Sequence, residues 1–220
     1  MRITAALLTA IAILGGGGCA PMPRGMAQLP VPVLFHPADT GALPRHFAAA
    51  LTGGGGPVSW VVRSDPTSPA GPVLVQQSTD DTSYRFPLCI YDGVIATNVL
   101  AEVMFKPISG TVDQAGGIVL RYTPENYYVA RANALEDNVS LFKTVNGNRT
   151  KIAEVPARVA PGQWHRLRFF ARGTHLRVWF DEKRLIDADD ATITRPGKVG
   201  LWTKADSVSA FADLKIGTRW

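Results

Sequence analysis

The stretch Arg121 to Asn138, RYTPENYYVARANALEDN, holds the densest set of side chains able to do chemistry. If Tyr127 to Asn133 is a strand, then Tyr127, Val129, Arg131 and Asn133 share one face, because successive side chains alternate. Arg121, on the preceding strand, is expected beside them. Two guanidinium groups, an amide and an aromatic ring suit a polyhydroxylated or anionic ligand, held by forked hydrogen bonds and ring stacking. A structural reading competes: Arg131 pairing with Glu136 or Asp137 to fix a hairpin. A second group lies in GKVGLWTKADSVSAFADLKI, where Trp202 and Lys204 share a face and Asp206 follows in a turn. Trp202 offers a platform for a sugar ring and Lys204 a donor. The competing structural reading has Trp202 covering the open end of the fold and Lys204 bonded to Asp206.

Catalytic templates find no counterpart. Gly53 to Gly56 lacks the Lys-Ser/Thr that a phosphate-binding loop needs, and no nucleophile elbow occurs. His36, His46, His165 and His175 are isolated from Cys and acidic residues at metal-ligand spacing. His165 reads as a hydrogen-bonded structural residue. Glu136 and Asp137 are adjacent, so on a strand they point to opposite faces. A carboxylate pair for glycoside cleavage would need a distant partner such as Asp92, Asp113 or Asp206. The catalytic and metal assignments therefore stay open.

The elements that must position these groups are strands. From Val58 onward, short alternating runs bounded by Gly, Pro, Asp and Asn recur every ten or so residues, about thirteen in all. That pattern predicts an antiparallel all-β fold, and so many strands must curl or split into two packed sheets. Leu167, Phe169, Leu176, Val178 and Phe180 are expected to face the core, with Arg166, Arg168, Arg177 and Trp179 on the outer face. Asn146-Gly147 is a two-residue hairpin signal, and Arg172-Gly173 and Asp181-Glu182 read as further tight turns. Residues 28–57, rich in Pro, Ala and Gly, read as a loosely packed arm, and residues 58–220 as the sandwich domain.

The first 27 residues read as an export signal: Arg2, an apolar stretch from Ile3 to Leu14, then small residues from Gly15 to Ala20. Two processing routes fit, cleavage after Ala20 or Ala27, or cleavage before Cys19 with lipid attached to that thiol. The expected location is exported: periplasmic, an outer-envelope lipoprotein, or secreted. Membrane contact is expected only through a lipid on Cys19, since a dozen apolar residues fall short of the roughly 20 a spanning helix needs. Cys89 then has no partner in the mature chain and reads as a buried, inert thiol. The 220-residue chain carries 23 basic and 18 acidic residues, a formal charge of +5. Two Arg and no acid lie in the first 27, which leaves +3 from Gln28 onward, scattered charge that argues against a nucleic-acid partner.

The order AGGIVLRY, ENYYVARANALEDNVSLFK, GQWHRLRFFARGTHLRVWFDEKRL and GKVGLWTKADSVSAFADL resembles the concanavalin A-like lectin/glucanase sandwiches. Among these it looks most like laminin-G-like domains and the bacterial 3-keto-disaccharide hydrolase domain family. The resemblance covers the chain from about residue 58 and implies a two-sheet jelly roll with one concave face used for carbohydrate, protein or lipid ligands. It implies enzymatic relatives that cleave oxidised disaccharides or glycosides, and no cofactor beyond a structural calcium ion, for which Asp213 or Asp92 would be ligands. The chain departs from those enzymes at GGGGPVSWVV and at Ala115-Gly116-Gly117, so no catalytic residue is carried over. The expectation is an exported carbohydrate-binding domain with Arg121, Tyr127, Arg131, Asn133, Trp202 and Lys204 on its ligand face. A 3-keto-glycoside hydrolase and a non-catalytic protein-interaction domain are the alternatives.

Overall fold

A computed structural model describes residues 30–218. The signal segment and Cys19 lie outside the described residues. The chain forms β1 (Val31–Val33), β2 (Phe47–Gly53), β3 (Trp60–Arg63), β4 (Val73–Gln76), β5 (Arg85–Ala96), β6 (Val99–Ser109), β7 (Ala115–Thr123) and β8 (Asn126–Asn133). It continues through β9 (Asn138–Val145), β10 (Asn148–Pro156), β11 (His165–Arg172), β12 (His175–Phe180), β13 (Lys183–Asp189), β14 (Gly197–Trp202) and β15 (Val208–Gly217). One sheet has the order β13-β12-β11-β6-β15-β4-β3, with β1 on β15; the other runs β10-β9-β8-β7-β14-β5-β2. The strand ladders are antiparallel. This is the two-sheet sandwich that the alternation predicts.

Between the sheets, Leu167, Phe169, Leu176, Val178 and Phe180 pack against Ile118, Leu120, Tyr128, Ala130 and Leu201. Their outward neighbours form a charged lattice: the Arg168 guanidinium meets Glu102 at 2.5 Å and lies 6.0 Å from the half-buried Trp179 ring. Asn146 and Gly147 both have positive φ, as the primed turn requires, and so do Asp181 and Glu182. His165 is structural, its ring nitrogens 2.8 Å from the Asp181 carboxylate and 3.0 Å from the Ala160 carbonyl. Cys89 is a free, buried thiol, and burial pushes its pKa far up, which leaves it unreactive.

The arm expected over residues 28–57 is a correction. β2 pairs with β5 from Phe47↔Tyr91 to Gly53↔Arg85 and forms an edge of its sheet, while Phe35 and Phe47 are buried in the core. Small residues concealed this strand: Ala48, Ala49 and Ala50 give no apolar alternation, although their backbone groups pair as any others do.

Candidate functional site

The outward face of an antiparallel sheet is commonly polar. Here the second sheet carries a separate apolar cluster on that face: Phe86, Leu88, Ile90, Val119, Tyr127, Val129, Phe142 and Trp202, all buried. The sheet curls to bury them. The Tyr84 hydroxyl donates to the Gly147 carbonyl at 3.0 Å and accepts from the Arg149 N–H at 2.9 Å, tying the start of β5 to the β9–β10 turn across the concavity. Arg149 lies over the face, its guanidinium carbon 4.5 Å from the Phe86 ring, 4.4 Å from Phe142 and 5.9 Å from Trp202. Trp202 stacks on Phe86 at 5.6 Å and 18°.

This face is incompletely hydrogen-bonded. Among the described residues, the buried Arg149 Nη1 and Trp202 Nε1 lack a partner on this face, while the Tyr127 hydroxyl lies against the Thr144 and Thr52 hydroxyls. Register places them together, with Thr52 opposite Phe86 and Thr144 opposite both Tyr127 and Arg149. Each buried atom left unpaired costs about 1–3 kcal/mol, and because these groups are withdrawn from solvent they bear on the packing of the face. Burial raises the Tyr127 hydroxyl pKa and lowers that of the Arg149 guanidinium, which also feels the Arg131 charge.

A polar rim closes one end of the same face. Trp202, Gly117, Arg131 and Ser140 lie side by side across four strands. Arg131 donates to Glu136 Oε2 at 2.6 Å and to Asn138 Oδ1. Lys204 pairs with the buried Asp113, which also accepts from Asn133 Nδ2 at 2.8 Å. The Asn133 side-chain oxygen accepts from Leu135 N at 2.9 Å and so orders the β8–β9 turn. Burial raises the Asp113 carboxyl despite Lys204. Burial is also the largest single influence on Glu136, but the Arg131 charge together with hydrogen bonds from Arg131 and Asn138 outweighs it and holds Glu136 below the usual carboxylate range. Acceptors, cationic donors and an indole thus converge within one turn's reach of each other, the equipment for gripping vicinal hydroxyls.

Gly117 is what lets the indole and Arg131 meet. A Cβ there would stand 2.8 Å from the Ala130 carbonyl oxygen, 3.1 Å from Arg131 Cβ and 3.3 Å from Trp202 Cε3. Gly117→Ala is expected to cost about 1–3 kcal/mol through overpacking and to displace both side chains. A denaturant midpoint shift together with a changed Trp near-ultraviolet circular dichroism band checks it; an unchanged band would refute the contact's role.

Of the expected ligand residues, Tyr127, Arg131 and Trp202 lie on the face, and Asn133 and Lys204 stand at its rim. Arg121 is a correction. A bulge between Leu120 and Thr123, with Arg121 at φ 54°, breaks the alternation. Its side chain instead donates to the Thr97, Ile193 and Gly173 carbonyls at 2.8, 2.6 and 2.7 Å. The Arg131–Glu136 pairing is present, whereas Lys204 bonds Asp113 and not Asp206. Asp206 clamps the preceding loop, accepting from Thr111 N at 2.6 Å and Asp113 N at 3.0 Å. Asp92 pairs with Lys198, and Asp137 accepts from Val159 N at 2.9 Å. Of the five carboxylates considered for chemistry, Asp113 and Glu136 are those beside the face.

Asp213 pairs with Lys215 at 2.6 Å, and among the described residues no group of three or more His, Cys, Asp or Glu side chains is arranged for a metal ion. Sequence reasoning missed Arg149, Phe86, Phe142, Thr52 and Thr144. The alternation Phe86, Leu88, Ile90 carried a signal for Phe86, but only the curl of the sheet brings Arg149 onto that face.

No family model matches the chain. A levanase of Bacillus subtilis (strain 168) is 30% identical over 89 residues, which cover 40% of this chain and 13% of the levanase. Among solved structures, a carbohydrate-binding module, CBM66, from Bacillus subtilis superposes with a TM-score of 0.64 at 19% identity. That match covers 79% of this chain and 96% of the module. A Bacillus subtilis protein of unknown function with a galectin-like fold gives 0.58 at 8% identity, covering 88% and 98%. The fold is that of the concanavalin A-like jelly-roll class, with galectin-like neighbours.

Proposed function

We propose that this chain is a carbohydrate-binding domain that binds a glycan on the concave face of its second sheet. Arg131, Glu136 and Lys204 reach hydroxyls at the rim, Lys204 held there by the buried Asp113, and Arg149, seated over the buried Phe86, Phe142 and Trp202 rings, adds a cationic group to the face. One observation carries the reading: Arg131, Glu136, Lys204 and Asn133, charged and amide groups, gather at one end of this single sheet face. The module and the levanase named above support it and make levan the first probe. Export through the residue 1–27 signal, with or without lipid on Cys19, belongs to the same proposal, because an extracellular glycan is met only outside the cell.

Calorimetry with levan, fructose, ordinary disaccharides and 3-keto disaccharides tests it, with products followed by mass spectrometry. Arg131→Ala and Glu136→Gln are each expected to weaken binding at least tenfold, equivalent to about 1.4 kcal/mol. Binding indifferent to both substitutions, or no binding at all, overturns the site. Turnover of a 3-keto disaccharide that is lost in Asp113→Asn and Glu136→Gln would replace the binding module with the hydrolase reading.

A further inference from the structure

A second cavity, of about 200 Å³, opens at the far end of the sandwich, between the β7–β8 turn and the β13–β14 loop. Asp113 precedes β7 and Thr123 ends it, so the strand separates this cavity from the concave-face rim by about 30 Å at 3.3 Å per residue. Its walls include Arg121, Arg195, Thr123, Thr192, Thr194 and Asn126, and no carboxylate lines it.

The charge here is uncompensated. Arg121 is fully buried, and among the described residues neither it nor Arg195 forms an ion pair with a carboxylate. Arg121 commits three N–H groups to the Thr97, Ile193 and Gly173 carbonyls, and a guanidinium has five. Asp190, next to this loop, is already occupied by the Lys143 ammonium at 2.7 Å, the Tyr128 hydroxyl at 2.7 Å and the Thr192 N–H at 2.8 Å. A buried cation without a counter-charge is unfavourable, and an anion entering beside it relieves that cost while meeting donors already in place. The cavity falls below the 300–1,000 Å³ usual for drug-sized ligands, so one small group fits it.

We propose that this cavity binds a single oxyanion, a sulfate, phosphate or sugar carboxylate, on Arg195 and beside the buried Arg121 charge, with the Thr192 and Thr194 hydroxyls as further partners. The site is independent of the concave face. The test is calorimetry of the full chain at fixed ionic strength with sodium sulfate, sodium phosphate and glucuronate, and with glucose as the neutral control. One site per chain is expected for at least one oxyanion and none for glucose. Arg195→Ala, at an exposed residue, should weaken it at least tenfold, and Arg131→Ala should leave it unchanged. Added chloride should weaken it progressively. Glucuronate above both inorganic ions would identify a sugar acid as the source; the reverse order would identify a free ion; both support the site. Absence of binding for all three anions, or affinity unaltered in Arg195→Ala, overturns it.

Discussion

Arg121→Met should lower the stability of this protein by about 3–5 kcal/mol. The methionine fills much of the volume but leaves the Thr97, Ile193 and Gly173 carbonyls without their donor. These belong to three separate connections, β5–β6, β13–β14 and β11–β12, so one guanidinium pins the far end of both sheets. Hydrogen bonds to a charged donor contribute about 1.5–3 kcal/mol each, and a buried acceptor left alone costs about 1–3 kcal/mol. Arg121 also adopts a positive φ of 54°, an unfavourable backbone that its side-chain bonds hold in place. Against a typical total of 5–15 kcal/mol the loss is large, and at about 2–4 °C per kcal/mol the melting temperature should fall by about 10 °C. Chemical denaturation of both proteins measures it. A change under 0.5 kcal/mol would mean that water replaces the guanidinium and that Arg121 does not pin the three connections.

The same residue shows where the sequence is legible and where it is not. Alternation identified the strands and their inward residues because burial on one face imposes period two on side-chain polarity. It put Tyr127, Arg131 and Trp202 on one face for that reason, and the structure has them on one face of the second sheet. It failed at Arg121, since a bulge shifts the parity of every residue behind it and leaves no compositional mark when neither bulged residue is glycine. It failed at β2, where alanines pair without an apolar signature. Arg149 and Tyr84 were hidden differently: their strands lie near opposite edges of the sheet, and the curl that joins them belongs to tertiary geometry. The choice of Asp113 over Asp206 as the partner of Lys204 has the same origin. Asp206 is nearer in sequence but is consumed by backbone N–H groups, a competition among acceptors that no spacing rule records.

Lys204→Met tests that pairing and the rim with it. Asp113 is 1% exposed and Lys204 17%, so the pair is largely withdrawn from water. Removing the ammonium leaves a buried carboxylate with Asn133 as its remaining direct donor, and breaking a buried pair from one side costs about 3–5 kcal/mol. The penalty is expected near pH 7 and should shrink on acidification, and its sign follows from the proton. Burial already raises the Asp113 carboxyl above its unfolded value of about 3.9, and losing Lys204 raises it further. A carboxyl whose folded pKa is raised favours the fold when protonated. Its penalty is therefore present above the folded pKa and absent below the unfolded one, so variant and parent should converge near pH 4. The double variant Lys204→Met with Asp113→Asn should recover most of the loss at pH 7, because a neutral amide needs no counter-charge. Denaturant titrations of the four proteins at pH 7 and pH 4 close the cycle. Equal losses at both pH values, or a double variant no better than Lys204→Met, would mean that Lys204 acts through packing. Recovery of stability with continued loss of glycan binding would instead separate the two duties of the rim: the charge pair holds the turn beside β8, and the same ammonium reaches the ligand.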